Sequence, residues 1–355
     1  MQTMSLLAQQ LTSHGMPEQY TPPFTITPAI LKLIGEISEW LGRYSATADA
    51  ALTPRLRRLN RIRTIQGSLA IEGNTLSLEQ VTAIVDGKQV LGSPRELQEV
   101  RNALLAYERM ETWDPAAVLD LLSAHGTLML GLVDQPGEFR LGGVGIKRGN
   151  EVVFVAPPAS RVRGQIENLL AWLAASEDHP LIASSVFHYE FEFIHPFGDG
   201  NGRMGRLWQT LILSRWQKPF AHIPIESVIR EYQAGYYEAL TESNTCGEST
   251  PFILFMLTVI RDAVLGMTTE QVTEQVTEQV RQLLRAMGKK AHSARELMAT
   301  LTLSHRPTFL YTYLQPALAA GLLEMTNPAS PRSPRQRYRL TDKGRGVLDQ
   351  VGTGV

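Results

Sequence analysis

Twelve residues restrict this chain more than any other stretch. His195-Pro196-Phe197-Gly198-Asp199-Gly200-Asn201-Gly202-Arg203-Met204-Gly205-Arg206 places four glycines and two arginines between two apolar helical patterns. Asp199 has the chemistry of an N-cap for the helix that follows. Gly200 and Gly202 let the backbone approach a ligand and turn its N–H groups inward, and amides at a helix N-terminus favour an anion. Arg203 and Arg206 are three apart and reach the same side. The pattern is a phosphate cradle with two guanidinium arms. His195 beside it can take a proton from an attacking hydroxyl. Asp199 suits Mg²⁺, which takes one or two protein oxygens together with phosphate oxygens. These are the parts for phosphoryl or nucleotidyl transfer, and neither hydride nor acyl transfer needs this set.

The rest of the chain sets the frame. Its 355 residues suggest two or three domains, and an apolar share of 43% is enough for a real core. A single cysteine, Cys246, excludes an internal disulfide, a cysteine-rich zinc site and a Cys-x-x-Cys pair. The apolar run Phe252 to Ile260 ends at Arg261-Asp262 and is shorter than the roughly 20 residues that span a bilayer. The start of the chain lacks a basic, then apolar, leader. The default expectation is a soluble cytoplasmic protein with no membrane partner.

Apolar spacing predicts helices from Pro28, through Ile30, Leu31, Leu33, Ile34, Ile37 and Leu41, and over about 53–70, 94–111, 115–130, 161–176, 180–193, 202–217 and 252–266. Residues 1–27 read as a polar tail. The 53–70 helix carries Arg55, Arg57, Arg58, Arg61 and Arg63, a face expected to be solvated or acid-paired, and ends at Glu72-Gly73-Asn74. Between Gly137 and Pro158, β-branched segments flank Arg148-Gly149-Asn150 and predict a lone β-hairpin, suited to binding an extended ligand along its edge.

The C-terminal region has its own character. Residues 281–350 hold 12 basic and 4 acidic side chains, whereas the remainder holds 22 and 31. A threefold TEQV repeat at 269–280 puts Val272, Val276 and Val280 on one helical stripe, read as a connecting helix with self-association as the sharper alternative. Helices over about 270–287, 293–301 and 307–318, then strands at 322–325 and 337–340, form a winged helix-turn-helix pattern. In a DNA-binding reading of 281–350, Arg306, Thr308, Tyr311 and Thr312 present to the major groove, and Arg332, Arg335, Arg337 and Arg339 meet phosphates or the minor groove. His292 and His305 have no second ligand nearby for a metal.

The 195–206 segment resembles the signature of the Fic family, HPFx[D/E]GNGRxxR, at every specified position. The resemblance extends over about 28–265 and more weakly into the tail. It implies a mainly α fold: a Fic-type helical bundle with a small β-hairpin flap, plus the C-terminal winged helix. The expected divisions are 1–90, 91–267 and 268–355. The implied reaction moves AMP from ATP, with Mg²⁺, to a Tyr, Thr or Ser hydroxyl of a target protein. His195 would be the base and Asp199 the metal ligand. Gly200, Asn201, Gly202, Arg203, Met204, Gly205 and Arg206 would bind ATP, with Arg206 on the γ-phosphate.

Glycine at 202, where a phosphorylating branch of the family has lysine, favours AMP transfer. Ser68-Leu69-Ala70-Ile71-Glu72-Gly73 matches the family's inhibitory motif, so Glu72 would compete for Arg206, assisted by Ser68 and Gly73. Tyr236, Tyr237 and Asn244 resemble the adenine and ribose contacts, and Val152, Val153, Phe154 and Val155 the target-binding flap. A homodimer, self-modification and reverse removal of AMP are further implications. A DNA-binding regulator is the alternative function.

Overall fold

The computed structural model describes residues 20–51, 54–148, 151–274, 278–288, 290–328, 333 and 336–352. The chain divides between Leu265 and Gly266 into two units. The polar tail up to residue 19, Gly149, Asn150, Val276, Arg332 and Arg335 lie outside the described residues.

The first unit runs through helices α1 (Pro28–Ala51), α2 (Pro54–Ile71), α3 (Leu78–Val85), α4 (Pro94–Arg109) and α5 (Val118–Leu128). Strands β1 (Gly145–Arg148) and β2 (Glu151–Val155) follow, then α6 (Ala159–Ala175), α7 (Pro180–Ile194), α8 (Asn201–Trp216), α9 (Ile225–Glu231), α10 (Gln233–Cys246) and α11 (Thr250–Glu274). The region around residue 90 is continuous with the rest, because α2 packs on α9 and α8.

Two helices make the centre. Every residue of α7 from Leu181 to Glu192 is buried, as is nearly all of α8 up to Leu213. A helix buried all round must satisfy its polar atoms internally. His188 does so between Gln209 Oε1 (2.7 Å) and Tyr236 Oη (3.0 Å). Burial pushes the His188 pKa down to about 3, so this imidazole is neutral. Gly205 makes room for it, since a Cβ there would lie 2.7 Å from His188 Cδ2.

The hairpin pairs Gly145 with Val155, Ile146 with Phe154, Lys147 with Val152 and Arg148 with Glu151. A bulge between Ile146 and Lys147 leaves Val153 without an opposite residue. Shorter helices escaped the periodicity. The seven or eight residues of α3 and α9 are too few to show a 3.6-residue period, and α3 is instead fixed by a Ser77–Gln80 capping box. Helix α11 is longer than expected, and its Thr250–Met267 window has mean hydropathy 1.6 with 56% of its residues buried. Phe252, Ile253, Met256, Leu257, Ile260 and Val264 in it are core residues. Of the basic α2 face, Arg58 pairs with Asp86.

The second unit holds α12 (Glu278–Met287), α13 (Ala294–Thr300), a helical segment over 306–319 (α14), β3 (Leu323–Met325), β4 (Tyr338–Leu340) and α15 (Asp342–Gly352). The α14 segment widens to π pitch over Phe309–Leu314, just before Pro316, which has no N–H to donate. Leu283, Leu284, Leu297, Phe309, Leu322 and Leu340 share one core. Val280 is buried in it, which removes this residue from any exposed stripe of the repeat. β3 and β4 are antiparallel, and His292 makes an isolated antiparallel bridge to Tyr338. The final helix α15 was not anticipated.

Gly67 sets how closely α2 approaches α9. A Cβ there would fall 2.8 Å from the backbone of Glu226 and Ser227. Gly67→Ala should destabilise the protein by about 1–3 kcal/mol, the usual cost of overpacking, read as a lower Tm in a thermal melt.

Candidate active site

His195 ends α7 with φ 50° and ψ 61°, and its N–H donates to Phe191 O at 2.9 Å. A left-handed non-glycine residue needs support from its surroundings. Arg140 supplies it: Nε donates to His195 O (2.7 Å), Nη2 to Ile194 O (3.3 Å) and Pro157 O (2.6 Å), and Nη1 to Gly142 O (2.8 Å). Its backbone N–H also donates to Pro196 O at 2.9 Å. One guanidinium therefore ties the His195 turn to both feet of the hairpin.

The imidazole of His195 lies with Nδ1 3.3 Å from Glu192 O. A carbonyl only accepts, so Nδ1 carries the proton and Nε2 keeps its lone pair. Burial lowers the pKa of this ring most; the hydrogen bond to Glu192 O opposes it, Arg140 lowers it further, and Glu72 and Asp199 raise it least. The ring is thus a neutral base at neutral pH.

The turn after His195 is closed by side chains. Asn201 is buried, accepts from Phe197 N (2.9 Å) and donates to Phe197 O (2.9 Å), so both ends of its amide hold the turn. His125 stacks on Phe197 at 3.6 Å. Its Nδ1 accepts from Gly137 N (2.9 Å) and its Nε2 lies 3.0 Å from Asp199 O. Burial holds its pKa at about 4.

The N-cap of α8 is Gly200, at φ 84°. Asp199 is one residue too early, and its Oδ1 accepts from Gly200 N at 2.6 Å and from Arg203 Nη2 at 3.3 Å. Its Oδ2 accepts from Arg95 at 3.0 Å. Cap chemistry in the sequence was right in kind and displaced by the αL glycine. A Cβ at Gly200 would also strike Met129 Sδ at 2.6 Å.

Arg203 and Arg206 lie on one helix but answer to different carboxylates. Arg203 pairs with Glu99 at 3.2 Å as well as Asp199. Arg206, 1% exposed, donates from Nε to Ser68 Oγ (3.1 Å) and from Nη2 to Ser68 O (3.0 Å) and Glu72 Oε1 (2.7 Å). Arg203 Nε and Arg206 Nη1 are buried donors with no partner among the described residues. Gly202 is what lets Glu72 in, because a Cβ on it would collide with Glu72 Oε1. The first turn of α8, where the amides favour an anion, therefore already faces a carboxylate.

A crystal structure of a Fic family protein from Desulfovibrio desulfuricans G20 is 58% identical to this chain, covering 91% of it and 99% of that protein with a TM-score of 0.70. The chain belongs to the Fic family. The profile of the Fic/DOC family matches residues 115–213. A second, described as Filamentation induced by cAMP protein Fic-like, C-terminal domain, matches 278–341. Among curated relatives, Protein adenylyltransferase Fic of Culex quinquefasciatus is 32% identical over 68% of this chain and 50% of its own length. Protein adenylyltransferase fic-1 of Caenorhabditis elegans is 27% identical over 63% and 44%. The chain spans about half the length of the curated relatives it matches. A Fic-1 structure from C. elegans, 22% identical, shares the fold over 69% of this chain and 73% of that one, with a TM-score of 0.56.

In this Fic site Asp199 is the residue whose chemistry fits Mg²⁺. Its side chain is 45% exposed and faces only donors: Arg95, Arg203 and the Gly200 N–H. No group of three or more His, Cys, Asp or Glu converges among the described residues. A single carboxylate suits an ion that shares its remaining positions with water and phosphate.

The other expected contacts fall in varied places. Tyr236 is buried with its hydroxyl against His188, and Asn244 Oδ1 accepts from Tyr189 at 3.0 Å. Tyr237 is 38% exposed, with its hydroxyl 3.5 Å from Ile71 O. Gly73, at φ 91°, turns the chain just after Glu72. Val155 is exposed at the base of the hairpin, while the side chains of Val152, Val153 and Phe154 lie outside the described residues. Met204 and Gly205 are buried inside α8. Arg95, Glu99, His125, Arg140 and Glu192 belong to the site and carried no spacing signal.

Two outcomes check this geometry. Arg140→Ala should cost about 3 kcal/mol, since it strands several carbonyls, and should speed hydrogen exchange at Ala156 N, which donates to Val144 O. In the wild-type protein, the His195 ring followed by NMR should titrate below about 6.5, the ordinary imidazole value.

Proposed function

We propose that this chain is a protein adenylyltransferase held in check by Glu72. The observation that carries the reading is the first turn of α8: an anion site open at Gly202, backed by the buried Arg206, and met by a carboxylate from α2's end. The names of the curated relatives, protein adenylyltransferases, support the same chemistry.

In this reading the cradle amides and Arg203 hold the α- and β-phosphates of ATP, and Arg206 takes the γ-phosphate once Glu72 has left. The hairpin edge pairs with an extended segment of the target protein. The target's Tyr, Thr or Ser O–H gives its proton to His195 Nε2. Its oxygen bonds to the α-phosphorus, the bond to the bridging oxygen breaks, and pyrophosphate leaves. Mg²⁺ at Asp199 would neutralise charge on the phosphates. With Glu72 docked, Arg206 is occupied by two Ser68 contacts and one carboxylate, and the γ-phosphate lacks its partner.

Three helices ahead of a two-stranded wing, with the His292 bridge beside it, support a winged-helix reading of the second unit. Arg337 is paired with Glu296 at 2.8 Å, and Arg339 with Glu324. Two of the arginines assigned to DNA phosphates are thus already engaged inside the unit, so no DNA-binding function is proposed.

The test uses wild type, Glu72→Gly and His195→Ala with Mg²⁺ and ATP labelled at either the α- or γ-phosphate. Protein label should come from α alone. It should rise by about tenfold or more in Glu72→Gly, as expected for removing a charged hydrogen bond worth about 1.5–3 kcal/mol. It should fall by about 10²–10⁴ in His195→Ala, the usual worth of a general base. Label from γ alone would make the chain a kinase and refute the reading.

A further inference from the structure

Glu192 is a carboxyl group buried in the catalytic centre that the mechanism above does not use. It stands three residues before His195 on the last turn of α7, with its side chain 10% exposed. Its Oε2 is 3.9 Å from His195 Nδ1, and its Oε1 is 4.0 Å from His188 Nε2. That Oε1 is buried and has no hydrogen-bond partner among the described residues. Gly205 is part of the reason there is space, because a Cβ on it would lie 3.2 Å from the same oxygen.

An ionised carboxylate without a hydrogen bond is costly in such a place. Burial first, and then the negative charge of Glu72, push the Glu192 pKa up to about 8, against the opposing pull of Arg206. At neutral pH the group is therefore mainly the neutral acid.

The groups facing Glu192 come from its own helix and from three other elements. His188 and His195 lie on its own helix and cap. Arg206 faces it from α8, Tyr236 and Tyr237 from α10, and Glu72 from the end of α2. Of these, Glu72 is the one that can leave: its side chain is 35% exposed and it lies just past the helix end. In the nucleotide-free protein its departure would remove a neighbouring negative charge and leave Arg206 without its carboxylate partner. Both changes favour the Glu192 anion.

We propose that Glu192 is a positioning residue that passes the state of the Glu72–Arg206 contact to His195: neutral while Glu72 is docked, an anion once it leaves, and as an anion a partner that makes His195 a stronger base. The step moves one proton from the Glu192 carboxyl to solvent and needs no other reactant. It rests on the reading of His195 as base and Glu72 as inhibitor. The inhibitory contact would then act twice, by occupying Arg206 and by leaving the base weak.

The experiment follows the His195 ring by NMR in full-length protein with histidine labelled at Cε1, its signal assigned by its loss in His195→Ala. The titration midpoint is compared in wild type, Glu72→Gly, Glu192→Gln and the double variant. Loss of the Glu72 charge alone lowers the midpoint. A newly ionised Glu192 at 3.9 Å should outweigh that and raise it by about one pH unit. The expected result is a rise in Glu72→Gly and a fall when the same substitution is made in Glu192→Gln. A fall in both backgrounds would overturn the proposal. If Glu192→Gln does not fold, wild type against Glu72→Gly still decides by the direction of the change. The readout needs no AMP transfer, so failure of the proposed activity and failure of this inference are separate results.

Discussion

A full positive charge in the core governs this molecule. Arg206 is nearly inaccessible to solvent, yet it is a guanidinium that stays ionised. Such a group must be surrounded by acceptors. Ser68 offers a hydroxyl and a carbonyl, and Glu72 offers the counter-charge. Because α2 carries both, the approach of α2 to α8 and the resting state of the site are the same fact. Gly67, which lets α2 lie against α9, and Gly202, which clears the way for the carboxylate, are steric conditions for it.

Around that charge the site is built mostly from backbone and buried neutral groups. His195, His188 and His125 all have pKa values lowered by burial. Each has a polar partner that orients its ring. Asn201 and Arg140 hold the loop through main-chain atoms. The base and the cradle lie among buried groups, and the more exposed acids, Asp199 and Glu72, are at the edge of the site.

Much of this was readable from the sequence where it depends on neighbours in the chain. The cradle, His195 and both arginines lie within twelve residues, so spacing alone places them together. The Ser68–Glu72 motif was legible for the same reason, and its partner Arg206 followed from the resemblance. Arg140 and His125 were not legible. They reach the turn across 55 and 74 residues, and their contacts are to carbonyls that every residue has. Asp199 carried a true cap signal, but the left-handed Gly200 took the position. Tyr236 and Tyr237 were both read as resembling adenine or ribose contacts, and only the fold shows that helical phase turns Tyr236 inward to His188.

Gly202 joins two requirements that could have been separate. The carboxylate paired with Arg206 and the phosphates proposed to fill the site need the same missing Cβ. A side chain there would evict Glu72 and crowd the cradle in one stroke. In the proposed function, changes that release Glu72 while sparing the cradle therefore lie at the end of α2 rather than at Gly202.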